Sequence, residues 1–320
     1  MTIERILVTN REQWLAVRSR DVTASVVAAL RPGLHPYTSR LKLYKQHTGF
    51  EFPTAGGVRL ERGMLLEYAV AERVRQERPE WIIEPAGVYL RDEKLRLGAT
   101  PDFFITDDFG RRGILQTKIS IPSVFEHAWK DEAGEVVPPM WIRLQALTEA
   151  MLEDADFGVV AVWIDHPFRN DVYVFEFDRH AGAEAAIRAD VARFWQDVHD
   201  RIEPEASGAV DSELIGLMYP EANPLVHVDL TGDNYLTDAL AERERLKAEI
   251  KRAEARVEDI ETDLRAKMKD AHVAHFNGFI ARRTTFDVPG SWRQPYRVNR
   301  LTVTDLRPKE ITDDAQPTRF

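Results

Sequence analysis

The pattern of apolar and polar positions predicts a β-hairpin in the first half of the chain. Residues 98–105 are mostly apolar, and residues 114–119 form a second apolar run that is interrupted by Gln116 and Lys118. Between the two runs, residues 106–113 hold aspartates and glycines, which are typical turn formers. Two short strands joined by a turn are therefore expected here.

The same pattern predicts elements on both sides of the hairpin. A helix is expected after residue 23, with Thr23 or Ser25 as its cap and Arg31-Pro32-Gly33 as its end. The spacing of apolar residues also predicts a strand at 81–90, helices at 59–74 and 141–152, a strand pair at 158–164 and 172–177, and a helix at 181–201. Because the first strand of that pair is nearly all apolar, we expect it to be central and the alternating second strand to lie nearer the edge.

A change in composition separates the last third of the chain. Residues 204–234 are rich in proline, glycine and acidic residues, and they are predicted to be a linker. Apolar residues from Leu246 to Leu264 then recur at spacings of four and three among many charges, which predicts a coiled-coil helix over residues 235–272. An amphipathic helix packed on its own domain explains this apolar seam equally well.

The C-terminal tail, residues 273–320, carries a basic and aromatic patch. Strands are predicted at 278–286 and 295–303, around a Pro-Gly turn. The patch consists of Arg282, Arg283, Arg293, Arg297 and Arg300 with Trp292 and Tyr296. Such a patch suits single-stranded nucleic acid, which binds by stacking and charge. Protective charges on an edge hairpin are the alternative.

Composition places the chain among ordinary globular proteins, since 44% of its 320 residues are hydrophobic and 30% are charged. There is no cysteine, which excludes disulfides, thiolate metal sites and a cysteine nucleophile. No run approaches the roughly 18 apolar residues of a membrane span, and the first residues lack the apolar centre of a signal peptide. A cytoplasmic protein without a membrane segment is expected.

Charge is distributed unevenly along the chain. The formal net charge is −10, which argues against a protein that coats DNA without regard to sequence. Residues 1–60, however, hold nine basic residues and only four acidic ones. A basic N-terminal face on an acidic protein suits a local phosphate-binding site.

Three polar residues of the hairpin indicate phosphodiester chemistry. Residues two apart in a strand point to the same face, so Gln116 and Lys118 share a face, and the hairpin brings Asp102 close to them. Oxygen-bearing side chains hold a hard cation such as Mg²⁺, while an ammonium group positions water and offsets phosphate charge. The alternative is a β-hairpin whose polar strand residues face solvent and have no role in catalysis.

This hairpin resembles the PD-(D/E)xK nuclease signature. Pro101-Asp102 is followed, fourteen positions after the aspartate, by Gln116-Thr117-Lys118, with Gln where the pattern has an acid. The resemblance implies an α/β fold with a restriction-endonuclease-like core, in which helices flank a mixed central sheet. It covers roughly residues 10–200, so residues 1–203 are expected to form a nuclease domain that carries a coiled-coil helix and a small β appendage.

A second motif resembles the YqaJ-like viral recombinase and lambda-exonuclease family. Trp14, Arg18 and the sequence Thr23-Ala24-Ser25 are similar to the entry motif of that family. The resemblance implies that Arg18 and Ser25 grip the 5′-terminal phosphate of DNA. Without the resemblance, the residues alone would be interpreted differently: Ser25 as a helix cap and Arg18 as a charged side chain exposed to solvent.

Two predicted helices carry further matches to the family. Gly63 and Glu67 fit its G-x-x-x-E motif, which implies that Glu67 binds the metal or anchors a metal-bound water, although from its spacing alone Glu67 is a surface acid. Gln145 matches a glutamine that touches DNA or the catalytic lysine. Arg143 stands where the family often has a second glutamine, and it offers a direct phosphate contact.

Gln116 departs from the signature, because a neutral amide oxygen gives Mg²⁺ less charge than a carboxylate. Three interpretations are open. Gln116 is a working ligand beside Asp102, Glu67 and the Thr117 carbonyl; or a carboxylate arrives from elsewhere, with Asp107, Asp108 and Glu126 as candidates; or the domain is a catalytically weak DNA-end binder. Retained activity is favoured, because Lys118 and both acids remain.

The resemblance implies a DNA exonuclease that depends on Mg²⁺, with Mn²⁺ as a substitute. It would degrade linear duplex DNA from the 5′ end and leave 3′ overhangs for phage-type recombination. Its implied partners are DNA ends, the single-stranded product, a single-strand annealing protein and further copies of the chain in a homo-oligomer. The competing class is a DNA-end-binding or assembly protein whose coiled coil carries the function.

Overall fold

The computed structural model describes residues 2–53, 58–166, 168 and 170–285, and for residues 58–64 it describes the backbone alone. The chain divides into two compact units, Met1–Met218 and Tyr219–Phe320. Among the described residues, no helix is both long enough and apolar enough to cross a lipid bilayer.

The first unit mixes strands and helices along its whole length. Its strands are β1 (Glu4–Leu7), β2 (Val22–Thr23), β3 (Ile82–Pro85), β4 (Val88–Asp92), β5 (Leu97–Ala99), β6 (Phe103–Thr106), β7 (Arg112–Ser120), β8 (Phe157–Ile164) and β9 (Val172–Asp178). Its helices are α1 (Arg11–Arg18), α2 (Arg40–His47), α3 (Val58–Glu77), α4 (Pro122–Ala128), α5 (Met140–Glu153), α6 (Ala181–Asp200) and α7 (Ser212–Met218), with 3₁₀ segments at Ala24–Leu30 and Gly208–Asp211.

Five strands form a mixed sheet in the order β3-β6-β7-β8-β9. The pair β7 and β8 is parallel, and the other neighbouring strands are antiparallel. The predicted hairpin is the pair β6 and β7, in which Phe103 lies opposite Leu115. The apolar strand β8 is internal and the alternating strand β9 lies at the edge, as the sequence pattern predicts.

A second sheet has the order β1-β4-β5-β2. Its strand β2 runs parallel to β5, with Val22 opposite Leu97 and Thr23 opposite Gly98. The chain leaves β5 at Ala99 and enters β6 at Phe103. The connection through residues 100–102 therefore joins the two sheets, and it carries Asp102 at its end.

Helices cover both faces of the five-stranded sheet. On one face, Val70 and Val74 of α3 pack in a buried cluster with Phe103 and Leu115. On the other face, Ala146 and other residues of α5 pack in a cluster with residues of β7 and β8. Since successive strand residues alternate between faces, Gln116 and Lys118 lie on the α5 face. The end of β7 is thus enclosed between two helices.

Two sequence-based elements differ from the structure. The single strand predicted at 81–90 is two strands of different sheets, β3 and β4, because the chain turns at Gly87 with φ of 60°. The helix expected after Thr23 is a 3₁₀ segment, and the Thr23 side chain makes no capping hydrogen bond. The hydroxyl groups of Thr23 and Ser25 are instead directed at Arg18.

The predicted linker, residues 204–234, begins inside the first unit. The 3₁₀ segment Gly208–Asp211 and helix α7 occupy its first half, where Asp211 and Leu214 are buried. Asp211 accepts hydrogen bonds from the Ser39 hydroxyl and from the Ser207 backbone N–H, 2.6 Å. These contacts explain why an acidic and glycine-rich stretch is ordered here.

The second unit contains the long helix α8 (Asn234–Met268) and the strand pair β10 (Val273–Phe276) and β11 (Phe279–Arg282). Asp233 caps α8 by accepting a hydrogen bond from the Leu236 N–H, 2.9 Å. The strand pair turns at Asn277-Gly278, where Gly278 has φ of 80°, so the strand predicted at 278–286 pairs with preceding residues. The strand predicted at 295–303 and its Pro-Gly turn lie outside the described residues.

Candidate active site

Asp102 is held by three donors at the entrance to β6. Its Oδ2 atom accepts hydrogen bonds from Gln116 Nε2 at 2.6 Å, the Thr117 N–H at 2.8 Å and the Thr117 hydroxyl at 2.7 Å. Burial raises the pKa of Asp102, while the charge of Lys118 and the Thr117 hydrogen bonds act in the opposite direction. The hairpin therefore fixes the orientation of a carboxylate beside a lysine.

Gln116 connects this carboxylate to helix α5. Its side chain is buried, and its Oε1 accepts a hydrogen bond of 2.7 Å from Gln145 Nε2. Its Nε2 faces Asp102 and also donates to the Thr117 carbonyl at 3.3 Å. In this arrangement Gln116 holds Asp102 through its N–H, and the oxygen that the metal-ligand prediction would use accepts a hydrogen bond from Gln145.

Gln145 links the site to an acid that the sequence analysis missed. Its Nε2 also donates to Glu149 Oε1 at 2.9 Å, and its Oε1 accepts from Lys118 Nζ at 3.2 Å. Glu149 lies one turn further along α5, with 1% of its surface exposed. Asp102, Gln116, Gln145 and Glu149 thus form a continuous hydrogen-bonded chain, which we call the amide bridge.

The sequence carries a signal for Glu149. It lies four residues after Gln145, so both side chains share one face of a helix. Its neighbours Ala146, Leu147 and Ala150 are apolar and buried. An acid among apolar residues on a buried part of a helix indicates a polar partner nearby, and Gln145 is that partner.

Glu67 approaches the site from α3, on the other side of Lys118. Burial and the negative charge of Asp102 raise the pKa of Glu67 to about 7, and the charge of Lys118 opposes this shift. Gly63 lies in the same helix one turn earlier. The structure therefore brings Glu67, Asp102 and Lys118 into one electrostatic neighbourhood, as the sequence motifs predict.

A cleft of about 450 Å³ opens beside Lys118. It is lined by Tyr37, Leu66, Glu67, Thr117, Lys118, Ile119, Ser120, Ile121, Val124, Trp129, Trp141, Ile142 and Asp165. The Tyr37 and Trp141 rings meet edge to face at 6.0 Å, and Lys118 Nζ lies 6.0 Å from the centre of the Trp141 ring. Neither aromatic residue is among the site residues predicted from the sequence.

Arg18 and Ser25 lie together in a second polar pocket. The Arg18 guanidinium stacks on the Trp14 ring at 4.2 Å, and its Nη2 atom lies 3.3 Å from Ser25 Oγ. Nη2 also lies 3.4 Å from Thr23 Oγ1, and Nη1 lies 3.5 Å from Thr100 Oγ1. Burial lowers the pKa of Arg18, opposed by Tyr89 and Glu149. We call these five residues the guanidinium pocket.

The remaining candidates are not part of either pocket. Arg143 is exposed on α5, and its side chain makes no hydrogen bond or ion pair within the described part of the chain. Asp107 closes the hairpin turn, where its Oδ2 accepts a hydrogen bond of 2.7 Å from Arg111 Nε. It lies about 16 Å along the strand from Asp102. Asp108 is exposed in the same turn, and Glu126 pairs with Lys130 at 2.5 Å. A carboxylate from these three acids does not replace the one absent at position 116.

The donor set around Lys118 fits a hard cation. The described residues contain no cluster of three or more acidic, histidine or cysteine side chains suited to a metal. Mg²⁺, however, is usually held by one or two carboxylates, with water and substrate phosphates completing its shell. Asp102 and Glu67 are such a pair, and the rise in the pKa of Glu67 partly reflects their mutual repulsion.

The sheet and the site together define a class of protein. A mixed sheet is flanked by α3 and α5, with an aspartate before one strand and a lysine on the next, an arrangement that resembles the PD-(D/E)xK nuclease core. Residues 13–151 match the sequence profile described as the YqaJ-like viral recombinase domain. The match confirms for these residues the family that the sequence motifs indicate.

Solved structures with a similar chain path include two of an alkaline exonuclease, LHK-Exo, from Laribacter hongkongensis. The structure with dAMP is 21% identical, with a TM-score of 0.47 over 65% of this chain and 100% of that chain. The other is 23% identical, with a TM-score of 0.47 over 60% of this chain and 95% of that chain. A phage-related exonuclease from Haemophilus somnus 129PT is 12% identical, with a TM-score of 0.42 over 57% and 96%. A search of curated proteins finds no match.

Proposed function

We propose that this protein is a metal-dependent DNA exonuclease of the cytoplasm, which degrades one strand of linear duplex DNA from its 5′ end and leaves a 3′ overhang for recombination. The observation that carries the proposal is the convergence of Asp102, Glu67 and Lys118 at the end of β7. The YqaJ-like domain match supports the same reaction class.

Each residue of the site has a proposed part in hydrolysis. Asp102 and Glu67 would hold Mg²⁺ or Mn²⁺ with the Thr117 carbonyl, and the bound ion supplies Lewis-acid charge and lowers the pKa of water. Asp102 is oriented by its three hydrogen bonds. Lys118 offsets phosphate charge and orients the attacking water. Gln116 would act by holding Asp102 through its side-chain N–H.

DNA contacts follow from the two pockets. The guanidinium pocket would bind the 5′ phosphate, because Arg18 has long and weak contacts with neutral hydroxyls and a phosphate gives charge-assisted hydrogen bonds. Thr100 of this pocket is two residues from Asp102, which keeps the end of the strand near the acids. Tyr37 and Trp141 offer faces on which a separated base stacks. Gln145 orients Lys118, and exposed Arg143 would contact a backbone phosphate.

Helix α8 is proposed to join copies of the chain in a homo-oligomer. Leu246, Ile250, Val257 and Ile260 are each about half exposed along one face of this helix. Their spacing of four and three is that of a coiled-coil seam. A single-strand annealing protein would then receive the 3′ overhang.

A second candidate function is DNA-end binding without cleavage. One observation favours it: Gln116 turns an N–H towards Asp102 where the nuclease signature has a carboxylate. In that case the guanidinium pocket would still bind ends, but the metal site would be too weakly charged to cut.

The decisive experiment is Mg²⁺-dependent digestion of linear duplex DNA with and without a 5′ phosphate. Wild type is expected to digest the phosphorylated ends fastest, and Lys118→Ala is expected to lose about 10²-fold or more of the rate. Lys130→Ala, which removes an exposed lysine two residues after the end of α4, is the matched control and should retain full activity. Binding of ends without cleavage by wild type would favour the second candidate, and neither binding nor cleavage would reject both.

A further inference from the structure

The middle of α8 is exposed on every face. Residues 245–263 are all exposed within the described part of the chain. The large apolar side chains of the seam are each 47 to 57% exposed there: Leu246, Ile250, Val257 and Ile260. A helix gains most of its stability by packing an apolar face, so this seam calls for a partner surface.

The seam is complementary to itself in volume when two copies run antiparallel. In a parallel pair each seam residue faces the same residue of the second copy, so Ala253 would face Ala253 and leave a gap. In an antiparallel pair Ile250 can lie opposite Ala253, which matches a large side chain with a small one. Leu246 then lies opposite Val257 of the second copy.

Arg243 also distinguishes the two orientations. It continues the seam three residues before Leu246, and its side chain is partly exposed. A parallel pair would bring two copies of Arg243 together inside the seam, which is a contact between like charges. The antiparallel pair places Arg243 opposite Ile260 of the second copy, where its apolar stem covers the isoleucine and its charge reaches solvent.

The charged residues beside the seam select one antiparallel register. With Ile250 opposite Ala253, Lys247 faces Glu254 of the second copy and Glu249 faces Arg256, and symmetry repeats each contact. A shift of one heptad in one direction would set Glu254 against Glu254. A shift in the other direction would set Lys247 against Lys247. The central charges are therefore all attractive only in this register.

The same register lets the two helices overlap along their whole length. Its centre of symmetry lies between residues 251 and 252, and the midpoint of α8 (Asn234–Met268) lies at residue 251. The ends of the two helices are thus level, over about 50 Å. One outer contact, between Glu242 and Asp263, is repulsive in this register, and Arg243 lies next to it in the chain.

We propose that α8 pairs with α8 of a second copy of this chain as an antiparallel coiled coil, with Ile250 opposite Ala253 and Leu246 opposite Val257. The inference rests on the proposed homo-oligomer, and it specifies the orientation and the register of the contact. Strands β10 and β11 follow the end of α8, so the two strand pairs would lie at opposite ends of the paired helices.

Disulfide trapping tests the orientation, because the chain has no cysteine of its own. Full-length Leu246→Cys and Val257→Cys are mixed and oxidised, and we expect a disulfide between the two variants, identified by mass spectrometry of the linked peptides. Neither variant alone should form a linked dimer, because the two copies of position 246 lie about 16 Å apart along the axis.

Ala248→Cys mixed with Ala255→Cys is the matched control. In the proposed register these two positions also lie level with each other, but on the outer face of the paired helices. They should form no disulfide above the level that random collision gives. A control mixture that links as fully as the seam mixture would show that the seam cross-link carries no information about packing, and it would overturn the inference.

Glu254→Lys provides a second measurement that leaves the seam intact. In the antiparallel pair it places a lysine opposite Lys247, and we expect the dimer dissociation constant, measured by sedimentation equilibrium, to rise about tenfold. In a parallel pair the new lysine would face Glu249, and the dimer would become tighter. The double variant Lys247→Glu/Glu254→Lys exchanges the two charges, and it should dimerise within a few-fold of wild type.

Three results would overturn the inference, and they separate it from the proposed function. Leu246→Cys that links to itself would show a parallel pair, as would a tighter Glu254→Lys dimer, and the homo-oligomer would stand. A wild-type monomer at every concentration, with no cross-link in the seam mixture, would reject the α8 homo-oligomer as well. Digestion of DNA by the same wild-type sample would show that the nuclease proposal holds independently.

Discussion

Lys118 lies between two unlike regions of the candidate site. On one side is the amide bridge, in which the amide groups of buried Gln116 and Gln145 are all engaged in hydrogen bonds. On the other side is the cleft, where Glu67 faces Lys118 and the Tyr37 side chain is 67% exposed. One region is completed by the protein itself, and the other has room for a ligand.

The difference between the two regions predicts which substitutions lower stability and which lower activity. Removing a partner from a buried network leaves other polar atoms unsatisfied and lowers the free energy of unfolding. Removing a group from a solvent-filled cleft costs little stability, but it removes a contact that the substrate would make. Substitutions on the two sides of Lys118 should therefore have different signatures.

The largest effect on stability is expected from Gln145→Leu. This change leaves Gln116 Oε1 and Glu149 Oε1 buried without their donor and removes the acceptor of Lys118, so the free energy of unfolding should fall by about 3 kcal/mol. Urea denaturation measures the loss. Arg143→Leu, at an exposed position on the same helix, should stay within about 0.5 kcal/mol of wild type. A loss below about 1 kcal/mol for Gln145→Leu would mean that the bridge is not tightly held.

A smaller effect, on binding alone, is expected at the guanidinium pocket. Arg18→Gln removes the cation that would meet the 5′ phosphate, and a lost charge-assisted hydrogen bond costs about tenfold or more in affinity. The preference for phosphorylated over unphosphorylated duplex ends should disappear in a competition assay. Arg20→Gln, at an exposed position two residues away, should keep the preference. If Arg18→Gln retains it, the phosphate is bound elsewhere.

Local patterns predicted much of the fold and half of the site. Strand alternation placed Gln116 and Lys118 on one face, and the Asp102 contact followed from the hairpin. The amide bridge was not predicted, because it depends on helix α5 packing against strands β7 and β8. The local sequence of the helix or of the strands does not reveal that contact. The break at Gly87 was missed for a related reason: a continuous apolar run does not show that its two halves join different sheets.

The strand pair β10 and β11 turns at a local signal that the prediction did not use. The dipeptide Asn277-Gly278 is a strong local hairpin signal, and the structure turns there between Phe276 and Phe279. The later Pro-Gly turn and the strand predicted at 295–303 lie outside the described residues and stay a prediction. The exposed seam of α8 could be located from spacing, but spacing does not distinguish a partner helix from a packed domain face.

The smallest effect concerns Glu67 and the pH dependence of stability. Its pKa in the folded protein is about 7, well above the ordinary value of a glutamate. Between about pH 4.5 and pH 7 the folded state therefore binds more protons than the unfolded state, so this group destabilises the folded protein as pH rises through that window. Glu67→Gln removes the effect and should raise the free energy of unfolding by about 1 kcal/mol at pH 8, a value reduced for the partial exposure of Glu67.

At pH 4 the two proteins should be equally stable, because Glu67 is then protonated in both states. Thermal unfolding without metal, from pH 4 to pH 8, measures the difference. Glu72→Gln, at an exposed position of the same helix, should show no such pH-dependent gain. Addition of Mn²⁺ should reverse the order at pH 8, since wild-type Glu67 then has a cation to bind and the glutamine variant gains less. If Glu67→Gln matches wild type at every pH, Glu67 does not share an electrostatic environment with Asp102, and the cleft loses its second acid.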